Sequence, residues 1–167
     1  MDDVEWILRA VTRYERQLTQ YAAGLLRDGD RARDVVQETF CRLCRQDPAA
    51  VRDYLAEWLY TVCRNLAMDV LRKERRVMPV SSDTLEHRAA ATSEPSAPVE
   101  MRDELGTVLA AMEDLPHNQR EVVRLKFQQE LSYKQIAAVT GLSIGNVGYL
   151  LHTALNTLRG VLTSPPS

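Results

Sequence analysis

The 167-residue sequence has no run of eighteen apolar residues, so no transmembrane helix is expected. Cysteine is scarce. Three cysteines form an odd set, which argues against a disulfide framework and for a reducing compartment. There is no surplus of positive charge: 21 Lys and Arg stand against 23 Asp and Glu, net −2. Alone, that balance argues mildly against nucleic-acid binding. The opening Met1-Asp2-Asp3 is acidic and lacks the basic-then-apolar order of a signal peptide, so a cytoplasmic protein is expected. Catalytic signatures are missing too: no Gly-rich phosphate loop, no G-x-S-x-G and no H-E-x-x-H. His87, His117 and His152 are widely spaced without catalytic neighbours. Cys41-Arg42-Leu43-Cys44 is a C-x-x-C, but no second pair or His pair completes a zinc tetrahedron. Helical spacing places Cys41 and Cys44 on the side of Val36 and Phe40, as small buried apolar residues. No enzyme activity, metal or cofactor is expected.

What is present is a folded composition, with 45% hydrophobic and 26% charged residues, enough for one ordinary domain or two small ones. The charge is unevenly spread. Residues 1–78 carry 14 basic and 13 acidic side chains, residues 79–101 carry 1 and 4, and residues 102–167 carry 6 of each. Arg64 to Met78 is locally cationic, and Leu131 to Gly160 holds Lys134 and Arg159 with no acid. The acidic middle, with Pro79, Pro95 and Pro98, Ala89-Ala90-Ala91 and many Ser and Thr, lacks the bulky apolar residues a core requires. It reads as a flexible linker over 78–100 between modules 1–77 and 101–163, with a frayed tail at 164–167.

Both modules show helical periodicity and neither shows sustained alternation, so the fold class is all-α. In the first, Ile7, Val11, Tyr14, Leu18, Tyr21 and Leu25 mark one long helix. Asp30 is the expected N-cap of a second helix with Val35, Val36, Phe40, Leu43 and Cys44 on its stripe. A third runs from about Arg52 to Arg76, with Leu55, Trp58, Leu59, Val62, Leu66, Val70 and Leu71 inward. The second module reads as four helices: 101–113, 118–128, 133–140 and one after Ser143 running to about Leu162. Leu131-Ser132-Tyr133-Lys134-Gln135-Ile136-Ala137-Ala138-Val139-Thr140-Gly141-Leu142-Ser143 is a helix-turn-helix pattern. Ala137 lets the helices approach, Gly141 turns the chain, and Leu142 plugs the angle. Such a unit presents its second helix to a DNA major groove, although an ordinary helical hairpin has the same pattern.

Two blocks carry a resemblance to bacterial extracytoplasmic-function sigma factors. One is Asp34-Val35-Val36-Gln37-Glu38-Thr39-Phe40 with Trp58 to Lys73. The other is Leu115-Pro116 with Gln119-Arg120-Glu121-Val122, the helix-turn-helix, and Leu151-His152-Thr153-Ala154-Leu155. The resemblance implies a region-2 helical bundle and a region-4 helix-turn-helix domain. It implies that region 2 binds the β′ clamp helices of core RNA polymerase and opens the −10 element, and that region 4 reads the −35 element of promoter DNA and touches the β flap. On that basis Arg52 and Tyr54 sit near a pocket for a flipped base, and Arg64, Asn65, Asp69, Arg72 and Lys73 follow the strand. Arg75 and Arg76 are phosphate contacts, or with Arg72 a solvated helix end stabilised by the dipole. Trp58 is read as core. Lys134, Ser143, Asn146, Tyr149, His152, Thr153 and Asn156 are the −35 candidates.

The chain departs from the family twice. The recognition helix is nearly uncharged where arginines are common, so weak −35 binding with a shallow salt dependence is expected. Gly145 and Gly148 lower its helix propensity by roughly 1 kcal/mol each. They suit close approach to backbone or a partner, while Leu150 and Leu151 offer a protein-binding face. The polymerase-docking block reads Arg31, Arg33, Asp34, Gln37 and Glu38, with two arginines where acids are common. Either this polymerase contact tolerates arginine, or docking awaits added negative charge, for which Thr39 and Thr61 are the phosphorylation candidates. An anti-sigma factor or a regulatory kinase is a further partner class. The alternative readings are a stand-alone helix-turn-helix regulator and a protein-interaction adaptor with weak DNA binding.

Overall fold

The computed structural model describes the backbone of residues 2–77 and 99–163, and side chains for 2–77 and 105–163. The expected linker, from 78 to the start of the next helix, and the expected tail at 164–167 lie outside the described residues. Every regular element among the described residues is helical, and the chain divides into two compact units.

The first unit holds α1 (Asp3–Leu26), α2 (Gly29–Cys44), a short α3 (Pro48–Val51), a 3-10 turn (Arg52–Tyr54) and α4 (Leu55–Val77). The three long helices pack on one another. Asp2 caps α1, Asp28 caps α2 through the Asp30 and Arg31 amides, and Asp47 caps α3 with Pro48 in its first turn. Asp28 thus takes the capping role expected of Asp30, because Arg27 in the left-handed region (φ 55°) has already turned the chain.

The buried residues spread to both sides of the expected stripe on α1, where Leu18 and Tyr21 lie inward as expected, and are rotated from it on α4. On α1 they are Trp6, Ala10, Leu18, Tyr21, Ala22 and Leu26, while Ile7, Val11, Tyr14 and Leu25 lie at the edge. On α4 they are Leu59, Tyr60, Cys63 and Ala67, and Leu55, Trp58, Val62, Leu66, Val70 and Leu71 are only half-buried. Small residues account for the difference: Ala10 and Ala22 widen the buried face of α1, and Cys63 and Ala67 turn that of α4. Tyr21 and Tyr60 meet edge to face, ring centroids 5.4 Å apart, at the centre of the bundle. Cys41 and Cys44, expected inside, are exposed. The inward positions of that helix end belong to Phe40 and Leu43, and each cysteine follows one of them by a single residue, a rotation of about 100°.

The second unit holds α5 (Val99–Asp114), α6 (His117–Val123), a π turn (Arg124–Gln128), α7 (Tyr133–Thr140) and α8 (Ile144–Thr163). The first of these begins two residues before the expected Met101. Glu113 ties α5 to α6 and the π turn: its carboxylate accepts from Arg120 Nη1 at 3.1 Å and Arg124 Nη2 at 3.0 Å, with both guanidiniums largely shielded from water. Helix α8 packs on α5, α6 and α7. Val147, Leu150, Leu151, Ala154 and Leu158 form its buried face, and Leu115, Val122, Leu125, Ile136 and Val139 are buried in the rest of the unit. Leu150 and Leu151 therefore complete this core and do not form a partner face. The single α-helix expected over 118–128 is interrupted. The wider turn at its end adds a residue, and Phe127 within it points out with 56% of its surface exposed.

Candidate polymerase and nucleic-acid interface

The sequence places three groups of candidate residues, and helical geometry decides which of them act together. On α4, Asn65, Asp69, Arg72, Lys73 and Arg76 recur at spacings of three, four and one. At about 100° per residue they fall in one stripe roughly 100° wide, facing away from Leu59, Cys63 and Ala67. All five are exposed. Within the stripe Arg72 donates to Asp69, which holds its guanidinium along the helix. Arg64 and Arg75 fall about 60–80° beyond the near edge of the stripe, a second line of cations and not part of the same track. Arg64 is half-buried and Arg75 exposed. At the start of the helix the 3-10 turn presents Arg52 and Tyr54, the latter 48% exposed. Trp58 is half-buried beside Leu59.

The second group lies on α2. Its outward stripe, opposite Ala32, Val35, Thr39 and Leu43, carries Asp34, Gln37 and Glu38, with Arg31 and Arg33 along its margins. The two arginines are not free cations. Arg31 pairs with Glu74 of α4 and lies 3.6 Å from Asp28, and Arg33 pairs with Asp30 at 3.5 Å. Glu38 is bound by Arg42 at 3.3 Å. The like-charge cost expected for this face is thus offset within the module itself. Thr39, expected beside this surface as a phosphorylation site, is 0% exposed and donates its hydroxyl to Val35 O at 2.8 Å. A kinase cannot reach it in this fold. It sits one turn from Val35 and Val36 on the core face, and its hydroxyl is satisfied by the helix. Thr61 is half-buried. Cys63 touches Thr39. Burial pushes its thiol up to about 12, opposed in part by a hydrogen bond between the two side chains.

The third group surrounds the turn between α7 and α8. Ser132 and Gln135 form a reciprocal cap: Gln135 N donates to Ser132 Oγ at 3.1 Å, and Ser132 N donates to Gln135 Oε1 at 2.9 Å. Gly141, at φ 79°, ends α7 in the left-handed region with its amide on Ala137 O at 2.9 Å. Leu142, half-buried, comes next. Ser143, expected at the base edges, uses its hydroxyl as the cap of α8, accepting from Asn146 N at 3.0 Å. The face of α8 opposite its core is Gly145, Tyr149, His152 and Asn156, with Asn146 and Thr153 beside it. Tyr149 is 66% exposed, and His152 and Asn156 side chains meet at 3.2 Å. Lys134 is exposed on α7.

One element of this group escapes sequence reasoning. Lys126 Nζ lies 5.4 Å from the centre of the Tyr133 ring and donates to Leu131 O at 3.4 Å. The same ring lies beside α8 at Gly148, where an added β-carbon would be 3.6 Å from Tyr133 Cε2. Gly148 therefore receives Tyr133, whereas Gly145 faces open space. Lys126 and Tyr133 are seven residues apart and belong to different helices. Only the π turn brings them together, so no periodicity in the sequence could have shown it.

Comparison with known proteins matches residues 10–77 to Sigma-70 region 2 and residues 105–158 to Sigma-70, region 4. The ECF RNA polymerase sigma factor SigL of Mycobacterium tuberculosis is 34% identical over 148 residues, which span 85% of this chain and 80% of that one. The ECF sigma factor EcfG of Rhodopseudomonas palustris is 31% identical over 146 residues, 87% of this chain and 78% of that one. Among solved structures, the sigma factor RpoE of Bartonella quintana, in complex with the anti-sigma factor NepR, shares the fold with a TM-score of 0.67. It is 24% identical and covers 95% of this chain and 97% of that one.

Proposed function

Because the chain belongs to the extracytoplasmic-function RNA polymerase sigma factors, and is therefore an alternative sigma factor, we propose how its two halves divide the work. Residues 1–77 dock on the β′ clamp helices through the outward stripe of α2 and open the −10 element along α4. Residues 101–163 read the −35 element through α8 and touch the β flap. The observation that carries this reading is the α4 stripe. Five exposed polar and cationic side chains run along the face opposite the core, with Tyr54 and Arg52 at its start. A strand leaving the duplex meets phosphate partners along the helix and an aromatic ring where its bases unstack. The chain performs no bond chemistry in this reading. It works in the cytoplasm, and among the described residues no helix is long and apolar enough to cross a membrane.

The recognition helix contributes little charge. Its outward face offers amide, imidazole and phenol groups, of which Asn146 and Asn156 suit adenine edges. Lys126, held over Tyr133, and Lys134 supply cations from the elements beside it. Promoter affinity then depends on the polymerase, which brings both modules to the DNA together. A protein inhibitor of the anti-sigma class is a further proposed partner, by analogy with the Bartonella complex. Thr61 is the one proposed phosphorylation site that is not fully buried. The test is to add the purified chain to cognate core polymerase and measure promoter-dependent transcripts. Transcripts that fall with Arg72→Ala and Lys73→Ala support the assignment. Tight site-specific DNA binding without polymerase and without initiation would instead make it a stand-alone regulator.

A further inference from the structure

The exposed cysteines of α2 serve no purpose in the core, and their position on the helix is specific. Taking Asp34 as origin and about 100° per residue, Cys41 falls within roughly 20° of Asp34, between Gln37 and Glu38. Cys44 lies next to Gln37 on the same outward face. The line Asp34, Gln37, Glu38, Cys41, Cys44 is one continuous surface, facing away from Val35, Thr39 and Leu43. Both thiols are open to solvent, and the third, Cys63, is buried.

We propose that Cys41 and Cys44 are a redox-responsive dithiol site that closes to an intramolecular disulfide and weakens polymerase docking. This rests on the assignment of the α2 stripe to docking. The end of α2 is already tightened toward a geometry that favours closure. Arg45 N donates to Arg42 O at 3.1 Å and Gln46 N to Leu43 O at 3.0 Å, both i to i+3 bonds. In such a 3-10 turn side chains three apart eclipse; these turns span 42–45 and 43–46, and Cys41 and Cys44 reach the same geometry when the tightening extends back by one residue. On a regular helix their β-carbons stand about 5–6 Å apart, and a disulfide needs about 3.5–4.5 Å, so closure draws the turn in by roughly 1–2 Å.

The oxidant is a low-molecular-weight disulfide of the glutathione class. One cysteine thiolate attacks a glutathione disulfide sulfur and expels a glutathione thiolate, forming a mixed disulfide. The second cysteine thiolate attacks that bond and expels the other glutathione. The pair loses two electrons and two protons, and two glutathione thiols are formed. The tightened turn pulls the Cys41 side chain off the ridge and displaces the turn that carries Gln37 and Glu38. Cys63 takes no part: it is buried on α4 against Thr39, on the inner face of α2, as a neutral thiol.

The experiment uses the full chain and cognate core polymerase, with glutathione disulfide as oxidant and peptide mass mapping to locate the bond. Binding to core should weaken roughly tenfold when the Cys41–Cys44 bridge forms and return with dithiothreitol, a change of one decade in Kd. The Cys41→Ser/Cys44→Ser variant should bind equally under both conditions, and Cys63→Ser should respond like the wild type. Unchanged binding after bridging, or mixed disulfides with no bridge, overturns the dithiol site. Asp34→Lys, measured reduced, separates the premise from the inference. If that variant docks normally, the docking assignment fails. If it docks poorly while oxidation has no effect, the dithiol inference fails.

Discussion

Arg31, in the first turn of α2, is ion-paired with Glu74 of α4 and also faces Asp28. An arginine standing where relatives commonly carry an acid is thus bound to acids of its own module, and it fastens the start of one helix to the end of another.

Because both partners remain partly exposed, with side-chain exposures of 43% and 38%, the pair is worth little. A double-mutant cycle with Arg31→Ala and Glu74→Ala, read by urea denaturation, should give a coupling of about 1 kcal/mol or less that shrinks at high salt. Arg31→Ala should change polymerase affinity less than Asp34→Lys does, as measured by fluorescence anisotropy with core enzyme.

The α4 stripe predicts an asymmetry between neighbouring arginines. Arg72→Ala and Arg76→Ala should weaken promoter binding by the holoenzyme, and each should lower the slope of log K against log salt by about 1. Arg75→Ala, to one side of the stripe, should leave that slope nearly unchanged. Equal effects at all three positions would mean a diffuse cationic helix end.

Gly148 and Gly145 should behave differently. Alanine at either gains helix propensity, about 1 kcal/mol. At 148 the methyl meets Tyr133 at ordinary contact distance, so Gly148→Ala should stabilise the module, while the larger Gly148→Val should displace the Tyr133 ring and the Lys126 resting on it. Gly145→Ala should stabilise equally. If DNA backbone comes close at that point, it should also reduce −35 affinity. Thermal melts and binding to a −35 duplex separate the two effects.

Cys63 ties stability to pH. Its thiol is raised in the fold from 9.0 to about 12. The native state therefore keeps a proton that the unfolded chain releases, and this contribution is intact below pH 9 and lost as pH rises toward 12. Tyr60, raised above its ordinary value of 10.0 mainly by burial, acts in the same direction. The urea midpoint of the wild type should fall more steeply between about pH 9 and 11 than that of Cys63→Ala. At about pH 8 iodoacetamide should label Cys41 and Cys44 at once and Cys63 only after unfolding.

Much of this arrangement is legible in the sequence, and the illegible remainder has a common cause. Helices, the turn at Gly141 and the cap at Ser132 come from local chemistry that needs no distant partner. The direction of the α1 face is legible, with Leu18 and Tyr21 inward, but its width and the phase of α4 are misread because bulky residues carry the periodic signal, whereas Ala10, Ala22, Cys63 and Ala67 are buried beside them. The exposure of Cys41 and Cys44 is the same error of phase. Pairings across elements, Arg31 with Glu74 and Lys126 with Tyr133, require a tertiary fold and leave no mark in spacing. The stripe on α4 is readable as a set of residues, but that Arg64 and Arg75 leave it is a matter of angle.

The π turn at Arg124–Gln128 acts as a frame insertion within a helix. One residue more or fewer there turns the positions that follow within the same helical segment by about 100°. A single-residue change of length in this turn would move Lys126 off the Tyr133 ring, and so shift a cation beside α8, without changing any residue of α8 itself.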